Sequence, residues 1–152
     1  MFDNDDDKTV LNTLTATLND SVNGYREAAE HTEDGQLKEL FRRSADERSQ
    51  IANDLRDEVR RLGGNPDDDG SFLGKTHQRF LDLKAAITGR DDKAIVNEVE
   101  RGEDYLKAKF KAATESDALS GESRAVVEQA YQSVLRGHDR VSKLKHSMEA
   151  NG

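Results

Sequence analysis

The sequence contains no cysteine and only one proline, Pro66, among its 152 residues. The missing cysteines exclude disulfides, iron–sulfur clusters, cysteine-ligated zinc and thiol nucleophiles. A single proline favours helix throughout, because proline breaks the interior of a helix. No apolar run approaches the roughly 20 residues that a membrane-spanning helix needs, and the acidic start "MFDNDDDK" is unlike a signal peptide. These absences predict a soluble helical protein of the cytoplasm.

The charge balance is acidic. The chain carries 31 Asp and Glu against 23 Lys and Arg, which gives a formal net charge of −8. Because an acidic surface repels phosphate backbones, we expect no nucleic-acid partner. Only 34% of the residues are hydrophobic, but they recur periodically, which is typical of a folded chain. The length is that of one domain.

Apolar residues recur at helical spacing in four long segments and one shorter segment. The pattern predicts helices over about 9–31, 34–62, 71–88, 91–114 and 120–148, after an acidic N-terminal tail over 1–8. Asp34 and Ser120 are predicted to cap the helices that follow them. The glycines of "GGNPDDDG" (63–70) are predicted to end the second helix.

The loop lengths predict how the helices are connected. Short loops follow the first long helix and the helix over 91–114, so each of these helices is expected to form an antiparallel pair with its successor. The stretch 63–90 is long enough to cross the bundle from end to end. The predicted fold is therefore all-α: a ferritin-like four-helix bundle over 9–148, with two antiparallel hairpins joined by a long crossover that contains a short extra helix.

Several polar residues fall on the apolar stripes of these helices. Buried polar and charged groups need partners, so we interpret them as an inward polar network in which Arg48 neutralises Glu103. The members of the predicted network are Tyr25, Ser44, Glu47, Arg48, Glu103, Tyr131 and His138.

A ferritin-like di-iron site needs one Glu from each of two helices and Glu-x-x-His from each of the other two. The chain departs from this pattern twice: Gln50 stands three residues after Glu47, and Leu135 stands three residues before His138. A reduced site for iron, manganese or zinc remains an alternative, with Glu47, Glu103 and His138 as its ligands. An inward Arg48 opposes a dication there.

Six stretches together resemble one bacterial family. This is an uncharacterised ferritin-like four-helix-bundle family, known as a domain of unknown function, and the resemblance spans residues 9–148. It implies a fold related to ferritin and rubrerythrin and a loose association with bacterial stress responses, but no established activity. The stretches are "YREAAE" (25–30), "LKELFRR" (37–43), "EVRRLGGNP" (58–66), "LKAAITGRDD" (83–92), "ERGED" (100–104) and "HDRV" (138–141).

Two main functional hypotheses follow, beside a third, a module that binds a small ligand between the helices, which the two inward tyrosines Tyr25 and Tyr131 permit. The first is a non-catalytic helical bundle without cofactor or complete di-iron site, in a stress-related or scaffolding role, with no catalytic residue assigned. The second is a ferritin-like metal-binding protein that uses the reduced ligand set and is redox-active. Under both hypotheses we expect a homo-oligomer, with a dimer favoured, and neither nucleic acid nor membrane as a partner.

Overall fold

The computed structural model describes residues 3–66 and 92–151, which form four long helices. The described part of the chain contains no β-strand. It is an all-α four-helix bundle, as the sequence predicted. The helices are α1 (Asp3–His31), α2 (Gly35–Arg61), α3 (Asp92–Thr114) and α4 (Gly121–Asn151).

The helices pack as two antiparallel hairpins, α1 with α2 and α3 with α4. Packing is closer within each hairpin than between them, where α1 lies against α3 and α2 against α4. The backbone N–H groups of Glu33 and Asp34 donate to the carboxylate of Asp92, 3.1 Å in each case. Since α3 thus begins beside the α1–α2 loop, the chain between α2 and α3 joins opposite ends of the bundle. The predicted short helix over 71–88 lies outside the described residues.

Local chemistry fixes both ends of α2. The side chain of Asp34 accepts hydrogen bonds from the N–H groups of Gln36 at 2.8 Å and Leu37 at 3.0 Å, as an N-cap does. At the other end Gly63 has a φ of 85°, a left-handed conformation that glycine adopts without steric cost. The predicted helix ends at Asp34 and in the glycine pair are confirmed.

The prediction of an acidic tail over 1–8 is wrong for residues 3–8, because α1 already begins at Asp3. Acidic residues in a first turn are favoured by the positive end of the helix dipole, so the Asp run is compatible with helix. Asp7 is also fully buried, and its carboxylate accepts hydrogen bonds from Ser120. This long-range contact, which periodicity cannot reveal, holds the start of α1 against the second hairpin.

The apolar core consists of two clusters, each built from all four helices. The lower cluster includes Leu14, Leu55, Phe110 and Val127. The upper cluster includes Phe41, Ile95, Val99 and Val141. Buried polar side chains lie between them, in the middle of the bundle. None of the described helices is long and apolar enough to cross a membrane.

Candidate functional site

The polar side chains between the two core clusters come from three helices. Ser21 and Tyr25 are four residues apart on α1, so they lie on the same face of the helix. Arg48 projects from α2 and Glu103 from α3. All four residues are at most 3% exposed. We call these four residues the central cluster.

Arg48 is the hub of the central cluster. Its Nη1 donates to Glu103 Oε2 at 2.7 Å and to Ser21 Oγ at 3.0 Å, and its Nη2 donates to Glu103 Oε1 at 2.7 Å. The Tyr25 hydroxyl donates to Glu103 Oε2 at 2.6 Å. The Arg48 Cζ atom also lies 5.6 Å from the centre of the Tyr25 ring, a cation–π distance. Both carboxylate oxygens of Glu103 therefore accept hydrogen bonds from protein groups.

The electrostatics of the central cluster keep Arg48 charged and Tyr25 neutral. Burial acts to lower the pKa of Arg48, but the Glu103 carboxylate outweighs it and the pKa is raised. The pKa of Tyr25 is raised well above its ordinary value, first by burial and then by the negative charge of Glu103. The hydroxyl proton of Tyr25 thus stays in place as a hydrogen-bond donor to Glu103.

Gly137 of α4 makes room for the guanidinium of Arg48. A Cβ atom at this position would collide with Arg48 Nη2 and lie 3.4 Å from Arg48 Cζ. A glycine inside a helix costs about 1 kcal/mol relative to alanine. The close approach of the guanidinium gives the physical reason for the glycine here.

The remaining residues of the predicted network lie outside the central cluster. Glu47 was predicted to point inward, but its side chain is 46% exposed and its Oε1 pairs with Arg140 Nη2 at 2.6 Å. One residue along a helix is a rotation of about 100°, so with Arg48 at the centre of the inner face Glu47 lies at its edge, on the side of α4. Ser44 is buried. Tyr131 is half-buried and stacks on Phe110, with ring centroids 6.4 Å apart.

His138 lies outside the central cluster and pairs with a surface carboxylate. Its Nε2 is 2.6 Å from Asp104 Oδ1, within the α3–α4 hairpin, and its side chain is 14% exposed. Its Nδ1 lies 3.8 Å from Asp139 Oδ1 and makes no hydrogen bond with the residues that the structure describes. His138 therefore links the two helices of its own hairpin and does not complete the arrangement around Glu103.

The alternative metal ligands do not converge. Glu47 faces Arg140, Glu103 is engaged by Arg48 and Tyr25, and His138 is paired with Asp104. In residues 3–66 and 92–151, no group of three or more His, Asp or Glu side chains is placed to hold a metal ion. The guanidinium of Arg48 adds a fixed positive charge beside the only buried carboxylate of the proposed set. These residues do not fit a bound dication.

Sequence reasoning missed Ser21 and Gly137. Ser21 is adjacent on the α1 surface to Leu18 and Tyr25, so the helical period could have placed it near the inner face. Gly137 had a signal too, since a glycine inside a strongly periodic helix often has a packing reason. Neither signal, however, identifies Arg48 as the partner.

A groove of about 750 Å³ runs between α2 and α4 on the outside of the bundle. Ile51, Val126 and Ala130 contribute its apolar lining, and the Glu47–Arg140 pair links its two walls. Arg136 and Asp54 also line the groove. Both acidic and basic side chains line the groove, so its charge selects no class of ligand.

A protein-family model matches residues 6–116, which include most of α1 and all of α2 and α3. The family is described as a domain of unknown function, DUF2383. The chain belongs to the DUF2383 family. The match contains Ser21, Tyr25, Arg48 and Glu103 of the central cluster, whereas Gly137 on α4 lies beyond it. No curated protein matches the chain. Family membership therefore identifies the type of domain but indicates no activity.

Proposed function

We propose that this DUF2383 protein is a non-catalytic, ferritin-like helical bundle in which a buried ion pair stands where a di-iron protein would hold its metal. Its role is structural or scaffolding, in a bacterial stress response in the cytoplasm. The observation that carries the proposal is the contact between Arg48 and Glu103, which occupies both oxygens of the buried carboxylate.

The ferritin relationship is supported by connectivity and by sequence resemblance. Two antiparallel hairpins whose connection joins opposite ends of the bundle are also the connectivity of ferritin-like folds. The stretches "LKELFRR" and "EVRRLGGNP" add the resemblance to a ferritin-like family. Neither feature carries a chemical activity by itself.

The charge of the central cluster argues against a metal in the bundle. A di-iron centre uses several carboxylates to neutralise two cations. Here one buried carboxylate, Glu103, meets one guanidinium, and the hydroxyls of Ser21 and Tyr25 complete the hydrogen bonds. A dication added beside Arg48 would face an unbalanced positive charge at low dielectric, which is strongly unfavourable.

Elemental analysis tests the proposal. The protein is purified without affinity tag or chelator, and analysed before and after anaerobic addition of ferrous iron. We expect far less than one iron, manganese or zinc per chain, with no change in His138→Ala. Near-stoichiometric metal that falls in His138→Ala or Glu103→Gln would overturn the proposal in favour of the metal-binding alternative. Arg140→Gln, which changes only an exposed pair, is the matched control.

A homodimer is part of the proposed role, by analogy with related bundles that associate through helix faces. Light scattering across a tenfold range of concentration tests it. A mass of twice 17.0 kDa supports the dimer, whereas a mass of one chain at every concentration contradicts it.

A further inference from the structure

Two buried carboxylates of the first hairpin meet the beginning of α4. Asp7 of α1 accepts hydrogen bonds from the Ser120 N–H at 3.0 Å and from the Ser120 hydroxyl at 2.7 Å. Glu58 of α2 accepts a hydrogen bond from the Ser123 hydroxyl at 2.7 Å. Asp7 is fully buried and Glu58 is 6% exposed. Acidic groups of the first hairpin thus hold the first turn of α4.

This arrangement adds tertiary hydrogen bonds at the start of α4, through the Ser120 N–H and the hydroxyls of Ser120 and Ser123. The first N–H groups of a helix have no intrahelical acceptors, and they carry a partial positive charge that anions stabilise. Ser120, the predicted cap residue, directly precedes α4: its hydroxyl donates to Asp7, and its carbonyl accepts a hydrogen bond from the Arg124 N–H. An ionised carboxylate only accepts hydrogen bonds, whereas a protonated carboxyl also has a donor to place and carries no charge.

The charged groups around Glu58 come from its own helix and from α4. Arg61 donates to Glu58 Oε1 at 2.8 Å and to Oε2 at 2.5 Å, and it lies 3.3 Å from Glu122 of α4. The Arg61 hydrogen bonds lower the pKa of Glu58; burial opposes this and the bond from Ser123 assists it. Glu58 therefore stays ionised at neutral pH.

One charged group that interacts with Asp7 comes from α2, and other charged groups lie at the junction of α3 and α4. Arg61 of α2 exerts a favourable charge interaction with Asp7, and Lys8 is its neighbour on α1. Arg124 of α4 donates to the carbonyl groups of Thr114 and Ser116 at the end of α3, 2.5 Å in both cases. Lys111, in the last turn of α3, and Glu115, just after α3, are exposed. Because Arg124 acts within the second hairpin, it does not replace Asp7 or Glu58 between the hairpins.

We propose that Asp7 and Glu58 form a clamp that fastens the start of α4 to the first hairpin, and that protonation of Glu58 in acid loosens this clamp. The middle of the bundle remains packed when the clamp opens, because the two core clusters contain neither carboxylate.

The sign of the pH dependence follows from Glu58. Its pKa is lower in the folded protein than in the unfolded chain, so its contribution to stability is present above the unfolded value of about 4.3. That contribution is lost as the pH falls through the lower, folded value. The clamp is therefore closed at neutral pH and opens only in acid.

Amide hydrogen exchange followed by NMR tests the clamp in the full chain. The Ser120 N–H donates to Asp7, and the Arg124 N–H donates to the Ser120 carbonyl at 2.7 Å. Loss of one hydrogen bond typically costs about 1 kcal/mol, which is about a fivefold change, so these two amides are expected to exchange roughly fivefold faster at pH 7 in Asp7→Asn and Glu58→Gln. Amides in the middle of α2, such as that of Ile51, are expected to keep their protection.

Asp57→Asn is the matched control, because Asp57 is 74% exposed and pairs with Arg60 of its own helix. It is expected to leave the Ser120 and Arg124 amides unchanged. In the unmodified protein, the protection factors of these two amides are expected to fall before that of Ile51 as the pH is lowered from 7 to about 3. Unchanged protection in both variants, or simultaneous loss at all three amides on acidification, would overturn the proposal.

Discussion

Arg48 and Glu103 form a two-pronged ion pair in the middle of the bundle, with both N–O distances at 2.7 Å and neither side chain more than 2% exposed. The two residues belong to different hairpins. A buried pair of this kind is costly to form but also costly to break, because the surviving partner is left as an uncompensated charge. The pair therefore specifies how the hairpins fit together more than it adds to stability.

The first prediction concerns the removal of one partner. Arg48→Met and Glu103→Leu are each expected to lower the free energy of unfolding by about 3–5 kcal/mol, because each leaves a buried charge unpaired. The double variant is expected to lose much less than the sum, since neither charge remains. Urea denaturation of the four proteins measures this coupling.

Arg140→Met serves as the control for that cycle. Arg140 pairs with Glu47 at a site where both side chains are at least 36% exposed, so its loss is expected to cost at most about 1 kcal/mol. Additive losses in the Arg48 and Glu103 cycle would show that the two residues do not act as a pair.

The second prediction concerns Gly137. Alanine is normally favoured over glycine inside a helix by about 1 kcal/mol, but a Cβ here would collide with Arg48 Nη2. Gly137→Ala is therefore expected to destabilise the protein by about 1–3 kcal/mol, as overpacking does. In the Arg48→Met background the collision with the guanidinium is removed, and the same substitution is expected to be neutral or stabilising.

Gly35→Ala is the corresponding control, because a Cβ at Gly35 meets nothing within 4 Å. Thermal unfolding of the single and double variants measures the difference. An equal loss of stability from Gly137→Ala with and without Arg48 would mean that something other than the guanidinium requires the glycine.

Helical periodicity predicted the part of the structure that depends on local patterns. It predicted the four long helices, the cap at Asp34 and the turn at Gly63, because apolar spacing and helix capping depend on residues that are close together in the sequence. It also placed Arg48 and Glu103 on the inner faces of their helices, where the structure brings them together. It placed Glu47 inward incorrectly, since the edge of a stripe is the position most sensitive to a small rotation of the helix.

Apart from the pairing of Arg48 with Glu103, the contacts between the hairpins could not be predicted from the sequence. In the sequence Asp7 is one more residue of an acidic run, which indicates an exposed side chain. In the structure it is fully buried against the start of α4. In the sequence Gly137 is a glycine that lowers the stability of its helix. In the structure it makes room for the side chain of Arg48 from α2. Both depend on which surfaces of the two hairpins face each other, and no local pattern in one sequence contains that information.

The third prediction concerns Tyr25 and alkaline pH. Burial, and then the charge of Glu103, raise the pKa of Tyr25 well above its usual value near 10. Above pH 10 the unfolded chain loses this proton while the folded protein keeps it. The folded state then binds more protons, so the free energy of unfolding must fall as the pH rises, by up to about 1.4 kcal/mol per pH unit.

Tyr25→Phe removes both the hydroxyl bond and this pH dependence. At pH 7 we expect a loss of about 1.5–3 kcal/mol, because the hydroxyl donates to a charged acceptor. Between pH 10 and 11 the stability of the variant is expected to fall less steeply than that of the unmodified protein. Tyr105→Phe, at a half-buried tyrosine whose ring faces Lys109, is expected to keep the steep alkaline decline. Equally steep alkaline declines in the unmodified protein and in Tyr25→Phe would contradict this prediction. They would show that Tyr25 loses its hydroxyl proton as readily in the folded protein as in the unfolded chain, and that burial and Glu103 do not raise its pKa.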